Sequence, residues 1–91
     1  MIRTRTLICK SLSDDMSGVE LVEKQISEPN VNEILIKVKA ASVNFPDLLM
    51  TQGKYQHKPD LPFGLGMEGS GIVQSVGSNV SKVKEGDEVT F

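Results

Sequence analysis

The sequence predicts a mainly β fold with one short helix, and three observations carry that prediction. Short runs rich in β-branched residues recur along the 91 residues, bounded by Gly, Pro, Asn or Asp. The strongest run alternates apolar and charged positions. Only one stretch, opened by Pro46, has helical character.

In chain order, strands are expected at 19–22, 34–43, 72–76 and 88–91. In the second of these, Ile34, Ile36, Val38 and Ala40 fall on one face and Lys37 and Lys39 on the other, the period of a half-buried strand. Pro29-Asn30-Val31-Asn32 reads as the turn before it, and Gly77-Ser78-Asn79 closes the third strand. The helix is expected at 46–52: Pro46 suits a first helical turn, Asp47 sits at the positive end of the dipole, and Gly53 ends it as a C-terminal cap. A loop with Pro59 and Pro62 follows, running to the glycine-rich stretch Gly64-Leu65-Gly66-Met67-Glu68-Gly69-Ser70-Gly71. Gly86-Asp87 makes a turn into the last strand, in which the sequence stops. A strand without an exit predicts a larger parent with more sheet to pair.

Composition excludes several functions. Ten basic and twelve acidic residues give a net charge of −2, and the basic residues form no patch, so nucleic acid and anionic membrane are not expected partners. The basic amino terminus has an apolar run of three residues, too short for a signal peptide or a membrane span, and a cytoplasmic placement is expected. Cys9 is the single cysteine and His57 the single histidine, which leaves no cluster of zinc-site spacing. His57, flanked by Gln56, Lys58 and Pro59, reads as solvated rather than as a general base. Met50 and Met67 read as core or cleft packing.

Gly64-x-Gly66-x-x-Gly69 spells a dinucleotide fingerprint, which needs a strand before it and a helix after it. Here a proline-bearing loop precedes and a β-branched run follows. The glycines are therefore read as permitting close backbone approach at a strand entry.

Six segments taken together, Ala40-Ala41-Ser42-Val43-Asn44-Phe45-Pro46-Asp47, Gln52-Gly53-Lys54-Tyr55-Gln56, Leu61-Pro62-Phe63, Gly66-Met67-Glu68-Gly69-Ser70-Gly71-Ile72-Val73, Val76-Gly77-Ser78-Asn79-Val80 and Gly86-Asp87-Glu88-Val89, resemble the medium-chain dehydrogenase/reductase family. They match the amino-terminal part of its GroES-like catalytic domain, nearest to its zinc-independent quinone oxidoreductase-like subgroup. The resemblance spans almost all of residues 1–91. It implies a GroES-like partial β-barrel here and a Rossmann cofactor domain outside this chain. It further implies an NADPH-dependent parent, a homodimer, that passes hydride to quinones or α,β-unsaturated carbonyls. The isolated 91 residues are expected to be inactive and to bind the cofactor very weakly.

Zinc-dependent alcohol dehydrogenases of the family place a cysteine ligand where this chain has Asn44 and a histidine ligand where it has Met67. An amide and a thioether are poor ligands for zinc, so the resemblance implies no catalytic metal here, and carbonyl activation by hydrogen bonds instead. It also implies that Asn44 lies beside the nicotinamide, as a catalytic and cofactor-binding residue. A helix N-cap is the equal alternative for Asn44. Asp47 supports the cleft by resemblance, or simply stabilises the first helical turn. Tyr55 stands where related enoyl-thioester reductases carry a catalytic tyrosine, and a loop tyrosine with a wet hydroxyl is its alternative. Leu65 stands where much of the subgroup has Pro, and Leu49 where other members have a cofactor-facing tyrosine. Two rival functions stay open, an enoyl-thioester reductase and a stand-alone β-barrel binding or scaffold module.

Overall fold

The computed structural model describes residues 2–91. The element order is β1 (Ile2–Cys9), β2 (Val19–Ile26), β3 (Ile34–Ser42), α1 (Phe45–Thr51), β4 (Phe63–Gly64), β5 (Glu68–Val76) and β6 (Glu88–Thr90). The strands form two three-stranded sheets, ordered β2-β1-β4 and β3-β5-β6. The chain divides into two compact units, one of residues 3–25 and 43–67, the other of residue 2 with 26–42 and 68–91. No helix among the described residues is long and apolar enough to cross a membrane.

The first unit holds the sheet β2-β1-β4 and the helix. Strand β1 is absent from the sequence-based expectation, yet its pattern is legible afterwards. Ile2, Thr4 and Thr6 are half-buried while Arg3 and Arg5 are exposed, the alternation of a strand with one wet face. Its end turns inward, and Cys9, fully buried, pairs with Phe63 of β4. Asp47, Met50 and Thr51 of the helix are also buried. Strand β2 runs four residues beyond the expected 19–22, and Glu20, Glu23 and Lys24 are exposed along it.

The second unit is an antiparallel sheet in which β5 is central. Its β5 begins at Glu68, not at 72, because Glu68 to Gly71 pair with Ser42 to Val38 on one side while Ser70 and Gly71 pair with β6 on the other. Glycine makes this possible at Gly71, where an added Cβ would sit 2.8 Å from Ile36 Cγ2 and closer still to the Lys37 carbonyl. Of the glycines expected at a strand entry, Gly66 stands just before β5, Gly64 lies in β4, and Gly69 lies inside β5 itself.

The β3–β5 ladder carries two irregularities, between Leu35 and Ile36 and between Val38 and Ala40. Gln74 is the unpaired extra residue at the first and Lys39 at the second. Ala40 pairs with Ser70 and Val38 with Gly71, and adjacent residues of β5 face opposite ways. Ala40 therefore crosses to the face opposite Val38, which corrects the strict alternation expected from the sequence. Among the described residues of this unit, Val73, 1% exposed, is the buried hydrophobic one.

Candidate functional site

The residues singled out for chemistry lie in the first unit, on α1 and the segments flanking it. Asn44 is the N-cap, extended at φ −115° and ψ 175°, and Pro46 occupies the first turn, where its missing N–H costs nothing. Asn44 and Asp47 form a capping box, in which each side chain meets the other's backbone N–H. Asn44 N–H donates to Asp47 Oδ2 at 2.8 Å.

Asp47 does more than cap. Its other oxygen, Oδ1, accepts the Gly66 N–H at 2.9 Å, and the residue is fully buried. A buried carboxylate with both oxygens on backbone donors is the arrangement burial demands of a charge. Gly66 adopts φ +99°, a conformation that L side chains avoid. One carboxylate thus ties the start of the helix to the backbone just before Met67, so positions 44 and 67 are brought to one place. Val43, Asn44, Phe45 and Met67 are all exposed, Phe45 by 68%. Met67 is therefore not core packing; Met50, 6% exposed, is. Three exposed apolar residues and an exposed amide thus flank the two backbone N–H groups that Asp47 ties together.

Tyr55 lies elsewhere. It follows the C-terminal end of α1, separated from Asn44 by the helix itself, roughly 10 Å at 1.5 Å per residue. The helix ends in a Schellman motif: Gly53, at φ +71°, donates its N–H to Met50 O at 3.1 Å, and Lys54 donates to Leu49 O at 2.9 Å. The predicted cap at Gly53 is thus present, and Tyr55 is half-buried one residue beyond the motif. His57 is exposed in its loop.

Among the described residues, no group of three or more His, Cys, Asp or Glu side chains could hold a metal ion. The Cys9 thiol is buried and donates to Ser11 O at 3.2 Å. Gly64 belongs to β4 and Gly69 to β5, and the residues after them form a strand, so the fingerprint-like glycines present no helix N-terminus to a pyrophosphate. A separate open groove of about 530 Å³ lies on the other unit, lined by Lys39, Ser70, Ile72, Glu88 and Thr90 among others. None of Asn44, Tyr55 or Met67 lines it. The Asp47–Gly66 bridge escaped sequence reading, because no local pattern pairs residues nineteen positions apart.

Comparisons with known proteins agree with this architecture. Residues 30–91 match the model of the alcohol dehydrogenase GroES-like domain. Quinone oxidoreductase-like protein 2 of Rattus norvegicus is 39% identical over 85 residues, covering 93% of this chain and 23% of the rat protein. The mitochondrial enoyl-[acyl-carrier-protein] reductase of Caenorhabditis elegans is 40% identical over 87 residues, covering 94% of this chain and 25% of its own length. Among solved structures, Escherichia coli quinone oxidoreductase complexed with NADPH superposes with a TM-score of 0.86 at 35% identity, over 97% of this chain and 26% of that one. A cobalt- and zinc-bound alcohol dehydrogenase from Pyrobaculum aerophilum gives 0.81 at 30% identity, over 98% of this chain and 26% of that one. The chain spans about a quarter of the length of the curated relatives it matches. By sequence match and by fold together, the chain belongs to the alcohol dehydrogenase GroES-like domain family of the medium-chain dehydrogenase/reductases, alongside its quinone oxidoreductase-like members.

Proposed function

We propose that these 91 residues are the amino-terminal part of the catalytic domain of an NADPH-dependent reductase that acts on quinones or α,β-unsaturated carbonyls without catalytic zinc. The observation that carries the reading is the Asp47 bridge, which presents positions 44 and 67 together and exposed with an amide and a thioether in place of zinc-capable donors. A Rossmann domain outside this chain is inferred to hold the cofactor's pyrophosphate, because the residues present do not suit it. They do suit its nicotinamide end.

NADPH, when bound, supplies the hydride. Asn44 lies at the capped start of α1 with an amide able both to donate and to accept, which suits it to orienting the nicotinamide. Val43, Phe45 and Met67 offer apolar surface that excludes water from the transfer. Tyr55 donates a hydrogen bond to the substrate oxygen as negative charge develops there, the task a Lewis acid performs in a zinc enzyme. The whole protein is proposed to act on a small-molecule substrate as a cytoplasmic homodimer.

An enoyl-thioester reductase is the second reading, favoured by Gln52-Gly53-Lys54-Tyr55 with its left-handed Gly53 and by the similarity to the C. elegans reductase. One experiment separates these. NADPH oxidation by the full gene product is followed with benzoquinone, methyl vinyl ketone and a crotonyl thioester, before and after dialysis against a strong chelator. Turnover of quinone or enone that survives chelation is expected. A crotonyl preference moves the assignment to the second reading, and one zinc per chain lost together with activity overturns the metal-free mechanism. No NADPH turnover with any of the three favours a binding or scaffold module.

A further inference from the structure

The connection between β1 and β2, residues 10–18, reaches the C-terminal end of α1 within the same unit. A helix leaves its last carbonyls without intrahelical partners. The Schellman pair answers two of them, and the connection answers another, since Ser13 N–H donates to Thr51 O at 2.9 Å. Leu12 lies over the left-handed glycine: a Cβ built on Gly53 would stand 2.9 Å from Leu12 Cδ1. Asp14 accepts from Gln52 Nε2 on its carbonyl at 3.4 Å, and its carboxylate lies 3.6 Å from Lys54 Nζ. Three consecutive residues, 12–14, thus touch four consecutive residues, 51–54, and Tyr55 comes next.

The connection is itself braced. Lys10 N–H donates to Gly18 O at 2.8 Å across its base. Ser17 N–H donates to Asp15 Oδ1 at 3.0 Å around Met16, which sits in the left-handed region at φ 62°. Such a turn is costly for a residue with a side chain and holds only where its surroundings fix it. The exposed Asp14–Lys54 pair contributes little energy. Orientation is the larger effect, because a hydrogen-bond donor misplaced by about 1 Å can lose a hundredfold in rate.

We infer that Leu12, Ser13 and Asp14 are positioning residues that set where the Tyr55 hydroxyl points, an inference that rests on the catalytic reading of Tyr55. Tyr55 is the single tyrosine and the chain has no tryptophan, so its intrinsic fluorescence reports that phenol alone. Leu12 is about half exposed, at 51%, and Leu12→Ala removes the cover over Gly53 while leaving every backbone bond available. In the 91-residue chain, Leu12→Ala is expected to raise the acrylamide quenching constant of Tyr55 about twofold, with an unchanged far-ultraviolet circular dichroism spectrum; Leu21→Ala, a more exposed leucine on β2, is expected to leave quenching unaltered. In the full gene product, Leu12→Ala is expected to lower kcat about tenfold with KM for NADPH unchanged, and to cause no further fall in a Tyr55→Phe background.

Unaltered quenching in Leu12→Ala, or an equal loss of kcat in both backgrounds, overturns the positioning role while leaving a catalytic Tyr55 standing. Wild-type kcat in Tyr55→Phe alone overturns the reading of Tyr55 and the positioning role with it. If Leu12→Ala does not fold, Leu12→Val gives the same two measurements with a smaller truncation.

Discussion

Asp47 shows how much a single buried carboxylate can organise. Its two oxygens accept the N–H groups of Asn44 and Gly66, and no solvent reaches it to replace either partner. Asp47→Asn keeps the shape but turns an amide NH₂ toward a backbone donor. The expected loss is about 2 kcal/mol, the cost of leaving a buried N–H unanswered, measured as a lower midpoint in urea. Tyr55 carries a different kind of expectation. Tyr55→Phe keeps the ring and deletes the hydroxyl, so a donor used in the transition state should reveal itself as a fall in kcat of about a hundredfold, roughly 3 kcal/mol, with NADPH affinity intact. Retention of more than about half of the wild-type rate, with chemistry limiting, would remove Tyr55 from the mechanism. The N-cap at Asn44 and the left-handed Gly53 were legible in the sequence because each depends on neighbours within a turn. Gly66 as the second partner of Asp47 was not, since that contact exists only after the chain has folded back.

Among the elements, α1 and β3 declared themselves through local chemistry, while β1 and the first half of β5 did not. In β1 the two arginines between threonines resemble a basic tail until a sheet gives Ile2, Thr4 and Thr6 a common face. In β5 the glycines read as the entry to a strand, not as part of it, because glycine weakens an isolated strand. Here they are what lets β5 approach β3. Gly71→Ala is expected to destabilise the protein by about 2 kcal/mol, since the new methyl meets the Ile36 side chain and the Lys37 carbonyl and the strands must part to admit it. Urea unfolding measures this, and a stability equal to wild type would mean that the ladder yields there at no cost. The alternation expected through Ala40 failed for a reason that periodicity cannot encode, because a bulge consumes one residue without advancing the partner strand.

At the scale of the whole molecule, charge makes a modest and signed contribution. The Asp87 carboxyl is held below its usual value of 3.8 by the Lys84 backbone N–H and then by the Lys84 ammonium. Asp15 is lowered in the same direction by the Ser17 hydroxyl and then by its N–H. A carboxyl with a depressed folded value binds fewer protons folded than unfolded near that pH. The stability it contributes is therefore fully present above about pH 3.8 and is lost as pH falls through the lower folded value. The unfolding midpoint should be insensitive to these two groups from pH 7 to about 5 and should fall below about 4, with the acid-side slope reduced in Asp87→Asn and Asp15→Asn. An unchanged acid slope in both variants would remove them as its source. The family, and with it the fold, was readable from six short segments because their order and spacing are joint constraints. The reaction is less readable, since the matched relatives are about four times longer than this chain.

The paired bulges of the β3–β5 ladder have a consequence for how such a sheet can drift over evolutionary time. The offset introduced at Gln74 is withdrawn at Lys39, so Ile34 with Val76 and Ser42 with Glu68 keep the partners that an unbroken ladder would give them. Between those ends, residues 36–39 and 71–74 own a second, regular pairing one step away. Adopting it would turn Val73, now buried opposite Ile36, to the reverse face and set the exposed Gln74 in its place. That pairing would also turn Gly71 and Ile72, which carry the ladder to β6, so the ground state rests on residues 71–74 together, with Val73 and Gln74 exchanging the buried position. An apolar replacement at position 74 narrows the gap, and a bulge can in this way migrate or vanish through substitutions alone, with no residue inserted or deleted.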